Sequence, residues 1–359
     1  MLRLVASRGT VGAARTTRFP ATAVAATQRR WKSYVLKYVR GHMPNDLKDI
    51  SGAIGCLYGE LPDADEYAAF RMPPKALDLY RQVGYTSMPR PVLSPDHVDL
   101  LVDEVNQLAD DVEHHPKSDL LYATSNSDLN AATSPLFFCQ GQWRCAWAMH
   151  DLTLMPHLCV PCSQLLGNTR LRLWYDEVVM KKARVGPCLP WQQNYARWQH
   201  TRPVNHITVL IALDTLTKDR GAPCLIPGSH RWRNGELLPT PPYNPTLDEA
   251  AHLNSIWDIV NEEEREVLMD TPPVTVELQR GQAMFIHPLT VYATHGNRSV
   301  DTAKCVYVHY FGDDTFAVQP GALLPRSTRF AAGAKVHGPY YPVCFDPSIV
   351  DDPIEQIDE

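Results

Sequence analysis

The chain has 359 residues, 44% apolar and 21% charged, with a formal net charge of −6 and a pI near 6.2. That is a globular composition, long enough for one large domain or two ordinary ones. It offers no basic surface for nucleic acid, and its longest apolar run, around Thr208 to Leu213, is far short of the roughly 20 residues a membrane-spanning helix needs.

Residues 1–45 hold Arg3, Arg8, Arg15, Arg18, Arg29, Arg30, Lys32, Lys37 and Arg40, and no acidic residue precedes Asp46. Basic, acid-free and hydroxyl-rich, this start reads as a mitochondrial transit-like segment over 1–33, with a cleavage neighbourhood at Arg29-Arg30-Trp31-Lys32. Residues 34–75 read as an N-terminal extension that wraps the core or meets a partner.

Val83-Gly84-Tyr85 reads as a short strand. Ser94 as N-cap and Pro95 in the first turn predict a helix whose apolar face is Leu100, Val102, Val105, Leu108 and Val112. That helix contains His97-Val98-Asp99, the one literal His-x-Asp of the chain. Residues i and i+2 of a helix point about 200° apart, so this pair cannot share a metal ion. Residues 115–140 read as loop, and a single helix is predicted from about Ala148 to Leu166, stopped by Gly167.

Nine cysteines, an odd number, lie without a framework spacing. Cys159 and Cys162 form the one CxxC and read as two reduced thiols; Cys139, Cys145 and His150 are near enough in sequence for a metal site to be considered.

Strands follow. Arg170–Tyr175 alternates as a half-buried strand does, and Val178–Met180 continues it toward Lys181. After the turn Pro190–Tyr195 come buried strands at Asn205–Leu213 and Ala222–Pro227. Residues 233–273 read as an insertion opened by Pro239, Pro241, Pro242 and Pro245 and filled by an acidic, helical piece from Leu247 to Leu268. Strands resume at Val274–Leu278, Ala283–His287 and Lys304–Phe311, and an acidic tail ends the chain. The pattern predicts a mainly β fold with flanking helices (α+β), a double-stranded β-helix of the jelly-roll, cupin-like kind. Residues 76–316 form that domain, interrupted by 233–273, and 317–359 form a C-terminal extension.

Gly84-Tyr85, the Leu93-Ser94-Pro95 start, Leu165-Leu166-Gly167, Pro190-Trp191, Ile211-Ala212-Leu213-Asp214, Ile226-Pro227-Gly228-Ser229-His230, Phe285–Leu289 and Asn297-Arg298-Ser299 occur in one order. In that order they resemble the phytanoyl-CoA dioxygenase family of iron(II)/2-oxoglutarate oxygenases. The resemblance implies an iron site of two histidines and one carboxylate, with an arginine clamping the co-substrate. The position of the first histidine is Gln192 and that of the carboxylate Asn194. Ungapped alignment puts Tyr292 at the second histidine and Ala303 at the arginine. Lys304, one residue on, would face the other side of its strand. His287 and His295 are the candidates for a rebuilt site, though His287, like His230, also fits the family's framework.

Neutral amides bring no charge to a metal, so the expectation is a chain with a vestigial site at Gln192, Asn194, Tyr292 and Ala303, no metal and no cofactor. The expected role is a catalytically inactive accessory subunit of a large mitochondrial inner-membrane assembly, respiratory complex I first among them. That host follows from the likeness to degenerate members of the family found as accessory subunits in some protists. The expected partners are other protein subunits, on the matrix side or peripheral to the membrane. The alternative is an active dioxygenase that hydroxylates an acyl-CoA-like substrate, using iron(II) and 2-oxoglutarate at an atypical site.

Overall fold

A computed structural model of the chain describes Tyr58, Pro62 and residues 64–110, 120–124, 135–240 and 248–349. The transit-like segment, most of the N-terminal extension and the acidic tail from residue 350 lie outside the described residues. Among those described, no helix is long and apolar enough to cross a membrane.

The strands in chain order are β1 (Tyr85–Ser87), β2 (Ala123–Thr124), β3 (Leu136–Gln140), β4 (Leu171–Lys181), β5 (Leu189–Gln192), β6 (Thr201–Arg202), β7 (His206–Ala212) and β8 (Pro223–Leu225). They continue with β9 (Val274–Thr275), β10 (Ala283–Ile286), β11 (Tyr292–Thr294), β12 (Ala303–Gly312), β13 (Phe316–Ala317), β14 (Gly321–Ala322), β15 (Arg329–Phe330) and β16 (Val343–Phe345). The large sheet runs β1-β10-β7-β12-β4-β3-β2, with β16 also on β4, and the small sheet runs β5-β11-β8-β9. All these pairings are antiparallel. The two sheets face each other, and β7 and β12 alternate between two apolar environments as a period-two strand must. Leu210, Ala212, Ala303, Cys305 and Tyr307 point between the sheets with Tyr292 and Leu225. Ile207, Val209, Ile211, Val306, Val308 and Tyr310 point the other way, under the helices. This is the predicted jelly roll.

Four helices cover the outer face of the large sheet: α1 (Pro74–Val83), α2 (Pro95–Asp110), α3 (Trp147–Thr153) and α4 (Pro156–Leu165). The Ser94 hydroxyl accepts the His97 amide at 3.2 Å, the N-cap expected of it. His97 stacks edge-on against Tyr58 and Asp99 pairs with Arg280, so the two point to different neighbours.

Several elements differ from expectation. Val83 ends α1 rather than opening a strand; Gly84 follows it at φ +83°, where a Cβ would meet the Thr290 hydroxyl at 2.4 Å. The single helix over 148–166 is two: the chain breaks at Leu154 and Met155, and Pro156, whose missing amide hydrogen suits a first turn, opens the second, which tolerates Pro161 in its interior. The end of the predicted loop 115–140 is β3, a strand paired with β4. β4 itself runs unbroken for 11 residues, merging the two predicted pieces. Cys159 and Cys162 are buried free thiols of α4, and no cluster of three or more His, Cys, Asp or Glu suited to a metal occurs among the described residues.

The helical part of the insertion is three short helices, α5 (Glu249–Asn254), α6 (Ile256–Ile259) and α7 (Glu262–Asp270). Asp248 caps α5 and a capping box of Asn261 and Glu264 opens α7. Ile256, Val260 and Leu268 pack on Trp191, Ile226, Val291 and Ala293, so the insertion covers the outer face of the small sheet. At one end of the barrel the segment after β12 folds back. Leu323, Leu324, Phe330, Val336 and Tyr341 bury Trp174, Tyr195, Trp198 and Phe311, and β13 and β16 add to β6 and β4.

Glu104 of α2 is buried and receives the amides of Ala148 (2.9 Å) and Met149 (3.2 Å) at the start of α3. Burial outweighs these bonds and lifts its carboxyl to about 7. A carboxyl whose folded pKa is raised gives its stability at low pH and loses it as pH rises through the folded value. Wild type should therefore lose stability relative to Glu104→Gln between about pH 4.5 and 7, read from urea midpoints across that range.

Candidate functional site

β5 and β11 are neighbours in the small sheet, and Tyr292 lies directly across from Gln192. Asn194 follows β5 in a short turn of 3-10 helix. The strand order thus brings together the three positions that the resemblance assigns to metal ligands. The Tyr292 hydroxyl donates to Asn194 Oδ1 at 2.8 Å, and Asn194 Nδ2 donates to the Thr208 hydroxyl at 2.8 Å. Thr208 in turn meets His309 Nδ1 at 2.9 Å. Tyr292, Asn194, Thr208 and His309 are all buried. They form one hydrogen-bonded chain across the barrel, from β11 through the turn and β7 to β12. Gln192 stands at its edge, where its amide oxygen accepts Arg197 at 3.3 Å.

Each group in this chain suits a neutral network. Burial raises the Tyr292 phenol further above its ordinary value, so it stays protonated and donates. Burial also lowers His309 well below the usual imidazole range, so it stays uncharged. A neutral amide beside a neutral phenol avoids burying an unpaired charge. Asn194→Ala leaves Tyr292 without its acceptor and opens a small void, and should cost about 2–4 kcal/mol. Tyr292→Phe should cost about 1–2 kcal/mol. Chemical denaturation of both variants reads the difference.

Two interior residues carry no signal in the sequence. Glu177, opposite Tyr307 on β4, accepts Arg197 at 2.9 Å and Gln140 at 3.0 Å. Lys181 lies directly opposite Ala303. Its ammonium donates to the Thr294 hydroxyl at 2.6 Å and to the carbonyl of His295, and burial lowers it to about 8. A cation therefore does stand beside the position expected to have lost one, and it comes from the neighbouring strand. Lys304 faces away, as expected, opposite Met180. The space beside Lys181 and Ala303 is about 10 Å³, about what one water needs.

His287 and His295 have partners elsewhere. His287 sits between Tyr80 and His230, takes the Leu289 amide on Nδ1 at 3.1 Å, and is lowered to about 3 by burial and by His230. His295 bridges Glu249 of the insertion (2.6 Å) and Thr275 (2.8 Å). The imidazoles that do line the barrel are His309 on β12 and His206 on β7, which stacks on Trp198 and Phe311; neither has a metal-like spacing to mark it.

The family model described as phytanoyl-CoA dioxygenase (PhyH) matches residues 63–305. A probable phytanoyl-CoA dioxygenase of Caenorhabditis elegans is 28% identical over 105 residues, 29% of this chain and 30% of that protein. The L-proline trans-4-hydroxylase of Streptomyces griseoviridis is 25% identical over 189 residues, 49% of this chain and 69% of the hydroxylase. Among solved structures, the epimerase SnoN from nogalamycin biosynthesis, in complex with Fe3+, alpha ketoglutarate and nogalamycin RO, has a TM-score of 0.56 at 20% identity, covering 77% of this chain and 99% of SnoN. EctD from S. alaskensis, with 2-oxoglutarate and 5-hydroxyectoine, has 0.55 at 16%, covering 75% and 89%. At such identities the likeness carries the fold.

The family match and these neighbours overturn the expectation of no metal and no cofactor. Iron and 2-oxoglutarate are the groups bound in the solved neighbours, and they are the cofactors of the class. The donors standing here fit an iron ion poorly: two amides and a protonated phenol, with the Asn194 and Tyr292 groups already bonded to each other. The Glu177 carboxylate on the same inner face is tied to Arg197. No step of a reaction can be drawn through a metal held by this set.

Proposed function

The chain belongs to the phytanoyl-CoA dioxygenase (PhyH) family, and from that premise we propose that it acts as a catalytically inactive accessory subunit of a large mitochondrial inner-membrane assembly, respiratory complex I before others. The observation that carries this reading is the hydrogen-bonded chain from Tyr292 through Asn194 and Thr208 to His309, which ties up two of the three positions, Asn194 and Tyr292, where the family resemblance places metal ligands. It ties the two sheets together with side chains. Further support comes from the cover at one end of the barrel, where Tyr341 and Phe330 bury Trp174 and Trp198. The basic, acid-free start supports the compartment.

The test is blue-native separation of gently solubilised mitochondria, with mass spectrometry of each slice. Co-migration with a respiratory complex is expected; migration as a free chain or a small oligomer counts against the proposal.

A second reading is favoured by one observation: Glu177 and His309 put a carboxylate and an imidazole on the barrel's inner face, beside Tyr307 on adjoining strands. On that reading the chain is an oxygenase with an atypical site. Anaerobic addition of iron(II) and 2-oxoglutarate would then produce a visible charge-transfer band that Glu177→Gln abolishes.

A further inference from the structure

Apart from Gln192, Asn194 and Tyr292, a cleft of about 260 Å³ opens where the insertion meets two strand connections. Arg184, Gly186 and Cys188 come from the β4–β5 connection, Gly296 and Arg298 from the β11–β12 connection, and Glu249 from α5. The two connections meet closely: a Cβ on Gly296 would come to 3.1 Å from the Gly186 carbonyl, and one on Gly186 would meet the Lys181 Cβ at the end of β4 at 2.6 Å.

The charges in the cleft do not balance. Both Glu249 oxygens are engaged: Oε1 by His295 at 2.6 Å, and Oε2 by Arg298 at 3.0 Å and the Gly296 amide at 3.3 Å. Glu249 thus holds Arg298 in place, while that side chain remains 65% exposed. Arg184 is exposed and has no ion pair among the described residues. Its backbone is held at φ +66°, with its amide on the Ser299 carbonyl at 2.9 Å. A non-glycine residue held in the left-handed region is strained, and such strain gathers at functional sites. One cation is in excess, beside a second cation that is already oriented.

We propose that this cleft binds a small organic anion, its carboxylate or phosphate groups held between the guanidinium forks of Arg184 and Arg298. A planar fork takes either group through two parallel hydrogen bonds. The volume lies below the roughly 300–1,000 Å³ of drug-sized pockets, so the ligand is small. This site does not depend on whether the barrel is catalytic.

The experiment is calorimetric titration of the full chain with succinate and, separately, inorganic phosphate, at low and moderate salt. Binding of at least one probe is expected, weakening with salt. Binding of succinate alone assigns the ligand to carboxylates, and of phosphate alone to phosphates. Arg184→Gln should weaken binding about tenfold or more, and Arg184→Lys less. Arg184 makes no ion pair among the described residues, so the unfolding midpoint of Arg184→Gln without probe should match wild type. Absence of binding by both probes, or binding that survives Arg184→Gln, would overturn the proposal.

Discussion

Gln192→His, Asn194→Asp and Tyr292→His, made together, should raise iron(II) affinity by more than about 100-fold over the parent chain. Disturbing groups that merely orient metal ligands already changes affinity ~10–100-fold, and here three direct ligands are supplied. The geometry favours the result, because Tyr292 is the cross-strand neighbour of Gln192 and its hydroxyl lies 2.8 Å from Asn194. Without metal, the variant loses the bonds from Asn194 to Tyr292 and Thr208 and gains a buried carboxylate. It should then be roughly 3 kcal/mol less stable than the parent. Added iron should restore stability, since a ligand that binds only the folded state stabilises it. Thermal melts of both proteins across an anaerobic iron(II) titration read both effects. Equal affinities would mean that these three side chains do not set the iron affinity of the barrel.

The other large effect is expected at Trp174. Its ring is fully buried, with His206 and Phe311 edge-on at 5.3 Å each and Tyr341 at 5.4 Å. It joins β4 to the C-terminal segment that covers the end of the barrel. Trp174→Ala should cost about 3–5 kcal/mol. Because the lost contacts lie between barrel and cover, limited proteolysis should cut the variant first between residues 316 and 345. Loss of stability with an unchanged cleavage pattern would mean that the cover is held by other contacts. Arg172, which bonds both Asp313 and the Tyr341 carbonyl, would be the next to substitute.

The sequence carried the jelly roll because alternating strands, a Pro-Gly-Ser-His turn and an Ala-Leu-Asp strand end each have a local cause. The meeting of Gln192, Asn194 and Tyr292 was legible only through the order of those pieces, since Tyr292 is far from the other two in the chain. Glu177 and Lys181 were not legible. Both faces of β4 are buried, with Leu173 and Val178 under the helices and Val179 between the sheets. Alternation therefore cannot say which face is inward until the pairing of Lys181 with Ala303 fixes it. His287 and His295 are ligand candidates in the sequence because they flank Tyr292. The turn at Pro288–Leu289 and the pull of Glu249 take them to other neighbours. The break at Pro156 was legible and was overridden by the apolar run around it.

The most direct test is the formation of succinate from 2-oxoglutarate by the purified full chain, supplied with iron(II), ascorbate and oxygen. The expected result is no succinate above that of a protein-free control. Repeated turnover that Glu177→Gln removes would contradict the reading of this barrel as a scaffold, and would place a working site on the face that Glu177 shares with His309.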